Sequence, residues 1–137
     1  MTPPSRFARR FRLLTLLRAS LILGALYDLF FAALMTLAPE LPARWFALPL
    51  PPLPEGRFYL WLLAILLAML AVLYLAAAHD PRRYSAVLGV AIVGRTLGAV
   101  ALGAAFRSTG LTGLLPLAFA DLGFASVHAL CGWPLRS

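Results

Sequence analysis

The chain has no lysine, a single cysteine and only five acidic residues among its 137. One sulfur, that of Cys131, excludes an intrachain disulfide and any zinc or iron–sulfur site built on several thiolates. There is neither a GxxxxGK phosphate loop nor an HExxH motif, and His79 and His128 do not stand at metal-ligand spacing. We therefore predict no catalytic site, no metal and no cofactor, and expect that the protein is not an enzyme.

Apolar residues and arginine dominate the composition. Hydrophobic residues make up 62% of the chain and the mean hydropathy is +0.88, whereas soluble domains contain roughly 45–50% apolar residues. A net charge of +7 would suggest nucleic-acid binding in a soluble protein. Because the arginines lie at the ends of apolar runs, we predict instead a membrane protein whose cations contact the headgroups of a lipid bilayer, with no nucleic-acid partner.

Four segments reach the length of about 20 apolar residues that a helix needs to cross a membrane. Prolines, glycines and an Asp-Pro pair separate them. We predict an all-α membrane protein, a four-transmembrane-helix up-down bundle that forms a single domain over residues 1–137. A cleaved signal peptide is the alternative for the first run, which is long for one and contains Asp28. The predicted helices span approximately residues 13–38, 58–78, 85–106 and 111–131.

The arginines are distributed unequally between the two sides of this bundle. Since cationic loops resist translocation, the richer side should be cytoplasmic, which places both termini in the cytoplasm. The poorer side carries Arg44, Arg57 and Arg107. The richer side carries Arg6, Arg9, Arg10, Arg12, Arg18, Arg82, Arg83 and Arg136.

The segment from Pro39 to Arg57 joins the first two predicted helices on the outer side. It is rich in proline and apolar side chains, so we predict a loop lying in the membrane interface; a lid over the mouth of the bundle is the alternative. Several aromatic residues near helix ends are interpreted as interfacial anchors that require no cofactor. These are Tyr59, Trp61, Tyr74, Tyr84 and Trp133.

Asp28, Arg95 and Asp121 each lie near the middle of a predicted helix. A charge at the bilayer centre costs about 2.5–3.5 kcal/mol on insertion scales, so the three side chains should face inward and meet. Arginine suits the central position because its planar fork can donate to two carboxylates. The trio sums to −1, and we therefore expect that one aspartate is protonated or is held by further donors such as the Tyr27 hydroxyl.

Small residues next to these charges predict close helix packing. Alanines flank Asp28 (Ala25 and Ala32) and Asp121 (Ala118 and Ala125), and Gly94 and Gly98 form a GxxxG around Arg95. His128 lies two turns beyond Asp121 on the same helix face. It is a candidate proton-relay partner or haem ligand, the alternative being a histidine settled among interfacial donors.

Three short motifs run through the second half of the chain: His79-Asp80-Pro81-Arg82-Arg83-Tyr84, then Gly94-Arg95, then Asp121-Leu122. In these motifs the chain resembles a group of small uncharacterised four-helix bacterial membrane proteins, loosely DoxX-like, that carry "DP-R-Y", "GK" or "GR", and "DL". The resemblance implies an inner-membrane location and a pair formed by Arg95 and Asp121, but no activity. The chain departs from the group after Asp121, where Gly123-Phe124-Ala125 replaces a tryptophan-rich continuation.

Three functional hypotheses follow. The first is a non-enzymatic accessory protein in which a buried Asp-Arg-Asp network organises the bundle, and whose small-residue faces pack against another membrane subunit or a second copy. The second is a small carrier or proton-coupled channel subunit that uses the same charges at mid-membrane. The third is a haem- or quinone-linked redox subunit.

Overall fold

The computed structural model describes residues 6–50, Pro52 and residues 55–132, with side chains from Ala8 onward. The predicted roles of Trp133 and Arg136 lie outside these residues. Within them 86% of the chain is helical and no strand occurs. The helices are α1 (Arg6–Leu37), α2 (Glu40–Trp45), α3 (Glu55–His79), α4 (Ser85–Thr109) and α5 (Leu114–Gly132).

Four of these helices, α1, α3, α4 and α5, are long and apolar enough to cross a membrane. Even the shortest, α5, has 19 residues, or about 28 Å at 1.5 Å per residue. Large apolar side chains point outward along the four helices, including Leu37, Phe119 and Leu130. Such a surface suits acyl chains better than water, and it suggests a multi-pass membrane protein.

The long helices pack as two pairs. α1 lies along α3 and α4 lies along α5, while α1–α5 contacts and a shorter α3–α4 contact close the ring. Leu17 and Leu21 of α1 and Ala71 and Ala77 of α3 are fully buried in the apolar core. This core lies toward the end of the bundle that contains the start of α1, the α3–α4 turn and the end of α5, which we call the arginine-rich end.

Helix boundaries differ from the predicted ones by three residues or more at four points, one of which is the start of α3 at Glu55 rather than Phe58. α1 begins at Arg6 rather than Leu13, since arginine is a good helix former and no breaker lies in between. α4 continues to Thr109 rather than Phe106, because the Ser108 and Thr109 hydroxyls donate to the Ala105 carbonyl and the left-handed Gly110 then ends it. α5 begins three residues later than predicted, at Leu114, after a turn.

The segment between α1 and α3 contains a helix that the sequence did not predict, α2. Proline is tolerated in the first turn of a helix because its missing N–H would have no intrahelical partner there, so Pro39 and Pro42 do not prevent α2. Trp45 stacks on Phe30 at 6.2 Å between ring centroids, with the two rings 8° from parallel. The backbone of Phe46 packs directly against Gly113 in the α4–α5 turn. The segment therefore lies across the end of the bundle.

Gly113→Ala should separate this segment from the α4–α5 turn. An alanine Cβ at this position would overlap the Phe46 carbonyl group, and we expect a cost of about 1–3 kcal/mol, as for other overpacked contacts. The measurement is thermal unfolding in detergent followed by tryptophan fluorescence. The control is Gly123→Ala, whose Cβ meets nothing within 4 Å; equal unfolding temperatures for both variants would show that the contact contributes nothing.

Candidate functional site: a buried ion network

The Arg95 guanidinium pairs with two carboxylates at once. Its Nη2 donates to Asp28 Oδ1 and its Nη1 donates to Asp121 Oδ1, both at 2.6 Å. Asp28 is fully buried, whereas 8% of the Arg95 side chain and 15% of the Asp121 side chain are exposed. The three charges therefore meet inside the bundle, as the sequence predicts. We call Asp28, Arg95 and Asp121 the ion network.

The ion network links two helices, α1 and α4, whose backbones do not approach each other closely in the described part of the chain. Among the described residues, the backbones of α1 and α4 lie diagonally opposite in the ring and make no close contact. The Arg95 side chain crosses this diagonal from α4 to Asp28 on α1, and it also holds Asp121 on α5. Arginine suits this position because its planar fork offers separate N–H donors to the two carboxylates at the same time.

Aromatic side chains surround the guanidinium. Arg95 Nε donates to the Tyr74 hydroxyl at 3.2 Å. The ring centroids of Tyr27, Tyr74 and Phe124 lie 5.2–5.5 Å from the guanidinium carbon, a distance at which a cation is attracted to a ring face. Each of the other three membrane-length helices, α1, α3 and α5, thus contributes at least one side chain that contacts the Arg95 cation.

The prediction about one tyrosine is wrong. The position of Tyr74 near the end of the second predicted helix predicts an interfacial anchor, yet its side chain is only 2% exposed and its hydroxyl accepts a hydrogen bond from Arg95. Helical side chains lean toward the helix N-terminus, so Arg95 leans back toward the arginine-rich end, where Tyr74 lies. Tyr27 places its ring against the guanidinium, and the expectation that one aspartate is protonated or held by further donors stays a prediction.

Small residues make room for the ion network, but only one of the two glycines takes part. A Cβ on Gly98 would lie 2.7 Å from Asp121 Oδ2, whereas a Cβ on Gly94 would meet nothing within 4 Å. Gly94 therefore faces away from the rest of the bundle, and the pair does not act as one packing motif within the described residues. Among the flanking alanines, Ala25, Ala32 and Ala125 are buried and Ala118 is half-buried.

His128 lies in the core beyond the ion network, toward the arginine-rich end. It is fully buried, with its ring edge-to-face with Tyr74 at 5.9 Å and tilted against Phe124 at 6.2 Å. The Ser20 backbone lies beside the ring, but neither imidazole nitrogen makes a hydrogen bond of good geometry. His128 is therefore an interior residue and not one settled among interfacial donors. Asp28 Oδ2 is likewise buried without a hydrogen-bond partner.

Replacing His128 with methionine should stabilise the protein if the imidazole has no function. A buried polar group without a partner costs about 1–3 kcal/mol, and the flexible thioether can fill the same space between Tyr74 and Phe124. We expect a higher unfolding temperature in detergent. The control is Val127→Met at a partly exposed position of the same helix; a lower unfolding temperature for His128→Met alone would show that the ring has a partner.

No group of three or more histidine, cysteine or carboxylate side chains that could hold a metal ion occurs in the described part of the chain. Comparison with protein-family models, with curated proteins and with solved structures finds no match. The resemblance to the DoxX-like group therefore stays a prediction.

Proposed function

We propose that the protein is a non-enzymatic membrane accessory protein, in which the ion network sets the arrangement of the helices. The observation that carries this proposal is that the guanidinium of Arg95 donates one hydrogen bond to each of three other helices, through Asp28, Tyr74 and Asp121. Since Asp28 is fully buried and Arg95 is 7% exposed, the charged groups pair with one another inside the bundle. They fix which helices are neighbours and at what register.

The outward face of α4 is the surface that we assign to a partner subunit or a second copy. It forms a shallow apolar groove in which the absent side chain of Gly94 leaves open space. In a membrane, where apolar side chains gain little by leaving lipid, helices associate through close backbone approach at small residues. The groove is lined by Ala86, Gly89, Val90, Val93 and Gly94.

Purification in a mild detergent followed by mass measurement tests this assignment. We expect a dimer or a complex with a co-purified membrane protein, and we expect Gly94→Leu to convert it to monomer by filling the groove. Gly103→Leu is the matched control, because Gly103 lies about half a turn around α4 from Gly94 and a Cβ there also meets nothing within 4 Å. A strictly monomeric wild-type protein would contradict the proposal.

The location proposed is the bacterial inner membrane, with both termini in the cytoplasm. The support is the unequal charge of the two ends: Arg9, Arg10, Arg12, Arg82 and Arg83 lie at the arginine-rich end, against Arg44, Arg57 and Arg107 at the other. The segment containing α2 would then lie in the outer interface. Reporter fusions test the orientation, with cytoplasmic activity expected after residue 137 and periplasmic activity expected for an insertion in the α2 segment.

A carrier or proton-coupled channel subunit is the competing proposal. It is favoured by the unpaired buried atoms, Asp28 Oδ2 and the two nitrogens of His128, since interior polar groups often serve transport. Asp121→Asn separates the two proposals. A carrier keeps its fold and loses flux in liposomes, whereas a structural network loses folded protein.

A further inference from the structure

Arg18 is an exposed cation within a membrane-length helix. It lies on α1, and its Nη2 donates to the backbone carbonyl of His79 at 3.1 Å. His79 is the last residue of α3, so this contact lies at the arginine-rich end, where α3 reaches the edge of its apolar span. Beside it runs a groove of about 410 Å³ between α1 and α3, lined by Arg18, Ile22, Leu75, Ala78 and His79.

The guanidinium of Arg18 has no carboxylate partner among the described residues, where the two ion pairs both belong to Arg95. The acid nearest in sequence to His79 is Asp80, whose Oδ1 accepts the backbone N–H groups of Arg82 and Arg83. Arginine carries five N–H donors, and one is described as donating to a protein acceptor. The groove therefore presents cationic donors with which no carboxylate of the described residues forms an ion pair.

We infer that this groove binds an anionic phospholipid. Its phosphate accepts hydrogen bonds from Arg18, and one acyl chain lies along Ile22 and Leu75, which are 43% and 44% exposed. The groove matches such a lipid in charge and polarity, because it is cationic at the end of the apolar span and apolar along the helices. Basic pockets between transmembrane helices are recognised sites for anionic headgroups, and a guanidinium binds phosphate through several parallel N–H donors. A free phosphate ion would leave the apolar wall unused.

The test is native mass spectrometry of the purified full chain with equal amounts of phosphatidylglycerol and phosphatidylcholine of identical acyl chains. We expect at least tenfold preferential retention of phosphatidylglycerol, which charge-assisted hydrogen bonds can supply. In Arg18→Gln the two lipids should be retained about equally. Millimolar inorganic phosphate should not displace the bound phosphatidylglycerol. Arg12→Gln, which removes an equal charge from an exposed position of the same helix, is the control and should keep the preference.

Ile22→Trp provides a second variant that leaves the cation in place and fills the apolar part of the groove. Since Ile22 is exposed, folding should be unaffected, and we expect retention of phosphatidylglycerol to fall at least severalfold. Equal losses in Arg12→Gln and Arg18→Gln would overturn the inference, because the attraction would then belong to the whole basic surface. Displacement by inorganic phosphate, or no preference in the wild-type chain, would also overturn it.

Discussion

Replacing Arg95 with methionine is expected to abolish most recovery of folded protein. The substitution leaves Asp28 fully buried without its cation and removes the hydrogen bond to Tyr74. Removing one partner of a buried ion pair costs about 3–5 kcal/mol, because an uncompensated charge remains inside. The measurement is the yield of monodisperse protein by size-exclusion chromatography in detergent, together with its unfolding temperature.

A triple variant makes the reason for this loss testable. Asp28→Leu, Arg95→Met and Asp121→Leu together remove all three charges, and leucine branches at the same atom as aspartate. Buried ion pairs replaced by apolar residues of similar volume are often neutral or stabilising, so the triple variant should recover most of the folded protein. An Arg95→Met variant with wild-type yield and unfolding temperature would show that the ion network does not hold the bundle together.

Gly98→Leu is expected to have the second largest effect. A Cβ at this position would lie 2.7 Å from Asp121 Oδ2, so a leucine must displace the carboxylate from Arg95. We expect the free energy of unfolding to fall by about 3 kcal/mol, which is the lower end of the range for breaking a buried ion pair. Thermal unfolding of the variant in detergent measures the change.

Gly103→Leu is the matched control for Gly98→Leu on the same helix. A Cβ at Gly103 meets nothing within 4 Å, and leucine is a better helix former than glycine. Its unfolding temperature should equal or exceed that of the wild-type chain. If both variants unfold at the same temperature, the space beside Asp121 is not needed for the ion pair.

Physical chemistry explains why sequence reasoning located the three charges but missed the contacts that Tyr74 and Phe124 make with Arg95. The cost of a charge in hydrocarbon acts on Asp28, Arg95 and Asp121 whatever their neighbours are, so their pairing follows from their depth alone. Tyr74 gave no such signal, because a tyrosine near the end of α3 fits the membrane interface equally well. Phe124 was likewise indistinguishable from an ordinary packing residue until the direction of the Arg95 side chain was known.

The α2 segment shows the same limit for local structure. Its prolines indicated a break in the helix pattern, but whether residues after a proline form a helical turn depends on what they pack against. Phe30 and Gly113, which lie far apart in sequence, provide those contacts for Trp45 and Phe46. Gly94 shows the opposite case. Its GxxxG spacing predicted a packing contact, but a Cβ at this position would meet nothing within 4 Å.

By itself the sequence determined that four helices are long and apolar enough to span a membrane, and that the arginine at position 95 must pair with acids. Both results follow from the free energy of placing apolar and charged groups in hydrocarbon, which each residue carries with it. The tertiary structure alone decided that this arginine crosses the diagonal of the bundle, that a tyrosine of α3 bonds it, and that His128 is interior. Those outcomes depend on side-chain direction and helix rotation, which are set only when all four helices pack together.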